Sequence, residues 1–467
     1  MTADHEMTGA ARLSRIFAEA GAVLYLVGGK VRNIALGLPG GDFDVCSAVL
    51  PKEAAKMLRE SGLTVIEKAL ALGTIEVHLT HGGQKHIFEH TTLRRDFYPE
   101  GGAHRPYQVE FTDDVAVDAR RRDFTINALY QNIEMSKVID PTGRGLRDIQ
   151  TQTIRAAAED PAETLRDDGL RIMRMARFAA ELGFGISDDL RACAAAHAHL
   201  LDDISAERKY QELQRILMAD VKYGAEDVDG MPPHRRGLQI LRDTGALQYV
   251  LPNLWEGSGV QQSEKYHAYD VLGHGIASCG FAPPVLILRL AALLHDIGKP
   301  RALQLSGKMT GHDELGQALA ARELNALRAD NRTKQMVSRL VGSHMFDLQG
   351  RAKPKTIRKR AVHLGRDMFE MLIALRRADF AGSGKPAGNN DSAVRWQTEL
   401  DRMIRDNVPW SVGDLNISGS EISKMLGGAS PKVGEVLNQL LWQCVSRPAV
   451  NTTDSLRKRA ASLVKNT

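Results

Sequence analysis

Cysteine pairing, long apolar runs and a strong charge of one sign are all missing from these 467 residues. The four cysteines, Cys46, Cys193, Cys279 and Cys444, are widely scattered and form no CxxC pair. That pattern fits reduced thiols in a cytoplasmic protein and argues against a disulfide framework or a thiolate zinc site. No stretch of about 18 apolar residues exists, so no membrane span is expected. The opening Met-Thr-Ala-Asp-His-Glu-Met has neither the basic start nor the apolar core of a secretory leader. A net charge of +4 permits a nucleic-acid partner without arguing for one; local clusters of Arg and Lys matter more. With 43% hydrophobic and 25% charged residues, the composition is that of an ordinary globular chain, long enough for about three domains. No internal repeat is found.

What is present starts with an apolar segment, Val23–Val27, that delivers Gly28-Gly29-Lys-Val-Arg32-Asn33 and then Asp42-Phe43-Asp44. Glycines remove side chains where a backbone must approach phosphates. Two carboxylates at i and i+2 on a strand share one face, where they can hold one or two Mg²⁺ ions against a nucleotide. The pattern predicts a strand at Asp42–Cys46, helices from Lys30 to Leu36 and over Lys52–Ser61, and paired strands Thr74–Thr80 and Lys85–Thr92 about Gly82-Gly83. Glu89, on the second of these, is either a third carboxylate or an exposed strand residue. Phe97–Pro106 carries Gly and Pro and reads as a mobile loop before a strand at Val109–Thr112. From Asp160 the pattern turns helical: an N-cap, Pro161, and apolar residues from Leu165 to Leu182 at helical spacing before Gly183. Gly224–Pro233 and Gly382–Asn390 read as loops or hinges.

Five segments in order resemble the class II tRNA nucleotidyltransferase and bacterial poly(A) polymerase family, within the polymerase-β-like superfamily. They are the Gly-Gly…DxD signature, Arg121-Arg122-Asp123-Phe124-Thr125-Ile126-Asn127-Ala128, Asp140-Pro-Thr-Gly143 with Leu146-Arg-Asp-Ile149, Leu165–Phe184, and Ser205-Ala-Glu-Arg208 with Glu212. The resemblance implies that Asp42 and Asp44 are catalytic Mg²⁺ ligands, and that Gly28, Gly29, Arg32, Arg122, Asp123 and Asn127 surround the triphosphate and ribose. Arg121 is as easily a salt-bridge partner. The resemblance also implies that Asp168 and Arg171, three apart and taken to lie on one helix face, read the base edge of CTP or ATP, with Arg174 one turn further along. Protein then replaces a template. This chain departs from the family's usual pattern in having Asp167 for Glu and Asn33 for Asp.

A second constellation begins with His295-Asp296-Ile-Gly-Lys-Pro after the apolar Leu286–Leu294, and resembles the HD phosphohydrolase superfamily. His274 and Asp379 complete its four-ligand set, and His312 and His344 are further candidates. Imidazole and carboxylate together suit Mn, Ni, Co or Fe better than Mg alone. His267 reads as a helix-start residue. The HD region is either a phosphohydrolase or a helical scaffold.

The expected fold is therefore α+β: a polymerase-β-like head with a small mixed sheet at 1–157, then an all-α neck (158–255), an HD domain (256–381) and a helical tail (382–467). The tail's Arg447, Arg457, Lys458, Arg459 and Lys465 lie either on a tRNA backbone or on a solvated face. The expected activity is template-independent transfer of CMP and AMP from CTP and ATP to tRNA 3′ ends. The Phe97–Pro106 loop favours addition of the full CCA. CC-only or A-only addition, poly(A) synthesis, or a principal HD phosphohydrolase activity are the alternatives.

Overall fold

The computed structural model describes residues 2–81, 83–99, 106–385 and 390–465. Two compact units form, Met1–Pro252 and Asn253–Thr467. In the first, β1 (Tyr25–Val27), β2 (Asp44–Ser47), β3 (Thr64–Ala69), β4 (Thr74–His81) and β5 (Gln84–Thr92) precede a separate hairpin, β6 (Arg94–Phe97) and β7 (Gln108–Phe111). β8 (Tyr130–Asn132) and β9 (Lys137–Ile139) complete a mixed sheet of order β3-β4-β5-β2-β1-β8-β9, in which only β2 and β5 run parallel.

Alternation decides which face is buried. Ile75, Val77 and Leu79 of β4 and Phe88 of β5 turn inward, and His90 stacks on Phe17 of the helix Thr2–Glu19 with centroids 5.2 Å apart. On the opposite face, strand register sets Asp44 beside Glu89 and Glu89 beside Glu76. Three carboxylates thus cross three neighbouring strands. Glu76 pairs with Lys68 and is hydrogen-bonded to His78. Glu89 is exposed.

Two sequence expectations are corrected in this unit. Asp42 lies just before β2 instead of inside it, because Gly40 and Gly41 take positive φ and end the extended pattern. The expected single helix from Asp160 to Gly183 is two helices, Pro161–Asp167 and Arg171–Leu182. The break has a packing cause: a Cβ on Gly169 would sit 2.7 Å from the Leu200 carbonyl, so the chain passes flat against that backbone. Asp168 takes extended dihedrals (φ −154°, ψ 104°) and shares no helical face with Arg171.

Among the described residues the second unit contains helices and no strand. Leu286–Leu294 (Leu-Ile-Leu-Arg-Leu-Ala-Ala-Leu-Leu) is apolar almost all round and accordingly buried. It ends at His295-Asp296. A Cβ on Gly298 would overlap the His312 carbonyl, so only glycine lets the helix His312–Ala326 begin this close to Asp296. The helices Val271–Gly280 and Arg366–Gly382 bring in His274 and Asp379. His267 is not at a helix start: the helix begins at Val271, capped by Asp270. Further on, Leu440, Cys444 and Leu456 belong to a separate apolar cluster, while Arg457 pairs with Glu421 (2.9 Å) and Arg459 donates to Gln443 (2.9 Å). Among the described residues no helix is long and apolar enough to cross a membrane. Parts of three expected loops, Gly82, residues 100–105 and residues 386–389, lie outside the described residues.

Gly169→Ala is expected to destabilise the first unit by about 1–3 kcal/mol through overpacking. Urea unfolding followed in this variant should show a lowered midpoint with an unchanged slope.

Candidate active site and metal centre

Gly28, Gly29, Arg32, Asp42, Asp44, Arg122, Asp123, Asn127, Asp168, Arg171 and Arg174 all line one cavity of about 780 Å³. Burial pushes the Asp44 carboxyl up to about 6, with Glu89 and Asp42 adding like-charge repulsion and Arg122 opposing it. A carboxylate group of this kind fits a divalent cation, which would relieve both burdens at once.

Behind it lies a buried hydrogen-bond network. Asp123 accepts from the Asn127 amide (3.0 Å), from the Phe124 N–H (2.8 Å) and from both Nε (2.9 Å) and Nη2 of Arg174. Burial alone would raise the Asp123 carboxyl; Arg174, then Arg171, overcome it and hold it well below the usual carboxylate range. Asn127 in turn accepts from Arg32 at 2.7 Å. Asn33 accepts from Arg32 Nε and Nη2 (3.1 and 2.8 Å) and donates to the carbonyls of Pro39 and Gly40, tying the glycine turn to the segment that carries Asp42. The amide does the orienting that a carboxylate would do there. Burial lowers the Arg32 pKa. Arg122 pairs with Asp118 (3.0 Å) and donates to Tyr130 (2.9 Å), while Arg121 pairs with Asp118 (2.8 Å) and Asp96 (3.4 Å).

The expected Asp168–Arg171 pair is not formed. Arg171 donates to the carbonyls of Thr164 (2.9 Å) and Arg121 (2.6 Å) and is 3.7 Å from Asp167. Asp168 instead accepts from Arg208 at 2.7 Å. Burial raises Asp167 to about 6, against the nearby Arg171.

In the second unit, four imidazoles converge through Nε2. His274 is 3.0 Å from Asp379 and 3.1 Å from His295; His312 is 3.1 Å from His344. Every Nδ1 faces a backbone carbonyl: His274 to Gly382 (3.2 Å), His295 to Ala292 (2.8 Å), His312 to Met309 (2.8 Å) and His344 to Val341 (2.6 Å). This fixes the tautomer with Nε2 free to ligate, as metal-binding histidines require. Two potential ligand groups result, His274–His295–Asp379 and Asp296–His312–His344. Asp296 joins them, its Oδ2 3.3 Å from His295 and its Oδ1 3.2 Å from His312. Lys299 also reaches Asp296 (2.6 Å). Donor chemistry of this kind suits a pair of transition ions. The centre opens on a cavity of about 870 Å³ lined further by Lys265, Arg376, Phe380 and Lys385. His267 lines it too, its ring edge-on to His274 at 4.5 Å.

Several residues given no role from sequence now stand in the first site. Arg177 lies buried between Glu212 (2.6 Å) and Glu181 (3.1 Å), and Tyr223 reaches Arg32 (3.2 Å) and Asn33 (3.3 Å). An Arg and a Glu four apart, among the apolar residues in the second half of the helix Arg171–Leu182, were a readable sign of the former. Nothing in the sequence marked Tyr223.

Comparison with known proteins matches residues 24–155 to the poly A polymerase head domain, 183–222 to a probable RNA and SrmB-binding site of polymerase A, and 270–377 to the HD domain. The A-adding tRNA nucleotidyltransferase of Deinococcus radiodurans is 31% identical over 69% of this chain and 74% of its own. The CCA-adding enzyme of Streptococcus thermophilus is 35% identical over 52% of this chain and 54% of its own, and that of Lacticaseibacillus paracasei 39% identical over 44% and 50%. The chain thus spans about half the length of these CCA-adding relatives. In fold it resembles the Bacillus stearothermophilus CCA-adding enzyme in complex with CTP, with a TM-score of 0.67, 24% identity and 99% of both chains covered.

Because Asp44 is protonated more readily in the metal-free fold than in an unfolded chain, its contribution to stability falls as pH rises through about 6. A divalent ion must displace that proton. The rise in Tm on adding Mg²⁺ should therefore be larger at pH 7.5 than at pH 5.5, and Asp44→Asn should abolish the difference.

Proposed function

Because the chain belongs to the tRNA nucleotidyltransferase and poly(A) polymerase family, we propose that it builds CCA ends on tRNA, adding CMP and AMP from CTP and ATP without a template. One observation carries this reading: two carboxylates suited to a divalent ion and the acceptor Asp168 open onto a single cavity edged by arginines. Asp42 and Asp44 hold Mg²⁺, which when bound neutralises the triphosphate and lowers the barrier to deprotonating the attacking 3′-hydroxyl. Gly28 and Gly29 admit the phosphates to the backbone, and Arg32 and Arg122 supply positive charge toward them. Asp123 and Asn127 meet the ribose, the first oriented by Arg174 and the second by Arg32. Asp168, held by Arg208, accepts from the amino group that cytosine and adenine share on the Watson–Crick edge. Head (1–157) and neck (158–255) together make this machinery. Four cysteines that form no disulfide agree with a cytoplasmic location.

A second reading applies to the HD region (256–381), which is followed by a helical tail (382–467). Its four oriented imidazoles and bridging Asp296 support a pair of transition ions, whose Lewis acidity serves phosphoester hydrolysis. Lys299 and Arg376 line the same cavity as cationic anchors for a phosphate.

Transcripts ending before CCA, after C or after CC, supplied with Mg²⁺ and with CTP and ATP singly and together, test the first reading. Full CCA on the bare transcript is expected, reduced at least 10³-fold in Asp42→Ala or Asp44→Ala on the scale of lost electrostatic stabilisation. A-only addition, the activity named for the Deinococcus relative, or a long A tail would reassign the activity within the family. For the HD centre, His295→Ala should abolish phosphoesterase activity while leaving nucleotide addition intact, and metal analysis should count two tightly held ions, falling to one in His312→Ala. A single ion in the unsubstituted protein would rule out the pair.

A further inference from the structure

We propose that Arg208 is a specificity-determining residue of the nucleotide site, a positioning group that fixes the plane of the Asp168 carboxylate and so decides which base edges it accepts. The inference rests on the reading of Asp168 as the base-facing acceptor.

Asp168 occupies the break between two helices, in extended conformation, and gains no orientation from a helical frame. Two contacts hold its carboxylate. The Leu170 N–H donates to Oδ1 at 3.1 Å, and Arg208 approaches as a fork, Nη2 2.7 Å from Oδ2 and Nη1 3.4 Å from Oδ1. One contact alone would let the group rotate about its Cβ–Cγ bond; two contacts from different directions define a plane. Arg171 does not substitute, since its two Nη groups are committed to the Thr164 and Arg121 carbonyls. Arg208 is itself held in register by the first turn of the helix Ala206–Leu217, where the Ser205 hydroxyl caps its N–H at 3.4 Å. Both Asp168 and Arg208 line the nucleotide cavity.

The chemistry follows from hydrogen-bond polarity. Cytosine N4 and adenine N6 donate at the Watson–Crick edge, whereas uracil and guanine present a carbonyl oxygen there. A fixed carboxylate accepts from the former and faces the latter lone pair to lone pair. Freed to rotate, it can turn away from a carbonyl, and the penalty against UTP and GTP shrinks. Contacts to the triphosphate are the same for all four nucleotides and do not change.

The test is single-nucleotide addition to the same tRNA transcripts with each of CTP, ATP, UTP and GTP. In Arg208→Gln the kcat/KM ratios of CTP over UTP and of ATP over GTP are expected to fall at least tenfold, with an unchanged KM for the transcript. Arg208→Lys should restore part of the ratio. The double variant Asp168→Ala/Arg208→Gln should be no less selective than Asp168→Ala alone. A parallel fall in kcat/KM for all four nucleotides, or a rise confined to the transcript KM, would overturn the proposal and make Arg208 a structural or RNA-contacting residue. Asp168→Ala separates the two levels. If it leaves selectivity intact, the base-facing reading falls and Arg208 with it; if it alone loses selectivity, only the positioning role falls.

Discussion

The nucleotide site depends on one buried carboxylate, Asp123. An unpaired charge in such a place would be costly by several kcal/mol, so its partners are fixed by necessity. Arg174 reaches it from the helix Arg171–Leu182, and Asn127 reaches it from the segment leading into β8. Through Asn127 the network continues to Arg32, and from there to Asn33 and Tyr223. Residues spread over some two hundred positions thereby share one rigid frame. The groups proposed to meet substrate are mounted on it, and the glycine turn cannot shift without disturbing Asp123.

The two centres answer the same physical problem in different ways. Around Asp44 carboxylates cluster: burial, then Glu89 and Asp42, push its carboxyl up to about 6, with Arg122 opposing them. Such a site holds hard cations through oxygen and releases them readily, which suits an ion that accompanies each nucleotide. Around Asp296 the charges alternate: in the metal-free fold Asp296 and Asp379 outweigh burial and raise His295, these carboxylates lie well below their usual range, and a bound cation would take the place of the proton on His295 Nε2. The imidazoles there are individually aligned by carbonyls, a preorganisation that favours resident ions.

Much of this was legible in the residues. Alternation in β4 and β5 marked the sheet, the apolar Leu286–Leu294 marked a buried helix, and the DxD and HD motifs marked both centres. What escaped was tertiary. Helical spacing runs unbroken through Asp168, and only the Leu200 backbone pressed against Gly169 shows why the helix stops. The same break released Asp168 from Arg171 and gave it to Arg208, forty positions away, which no local rule could signal. His267 looked like a helix start because the true cap, Asp270, lies three residues later. Glu89 was left between two readings; it is exposed, as an ordinary strand residue would be, and strand register sets it beside Asp44.

The central claim is that one cavity in the first unit holds both metal and base. A crystal of the whole chain with Mn²⁺ and a non-hydrolysable CTP analogue tests it most directly. The account predicts anomalous Mn density bridging Asp42 and Asp44, triphosphate against Arg32 and Arg122, and the cytosine amino group within hydrogen-bond distance of Asp168. Nucleotide found only in the HD cavity, or Mn density absent from Asp42 and Asp44 while present at the imidazoles, would contradict it.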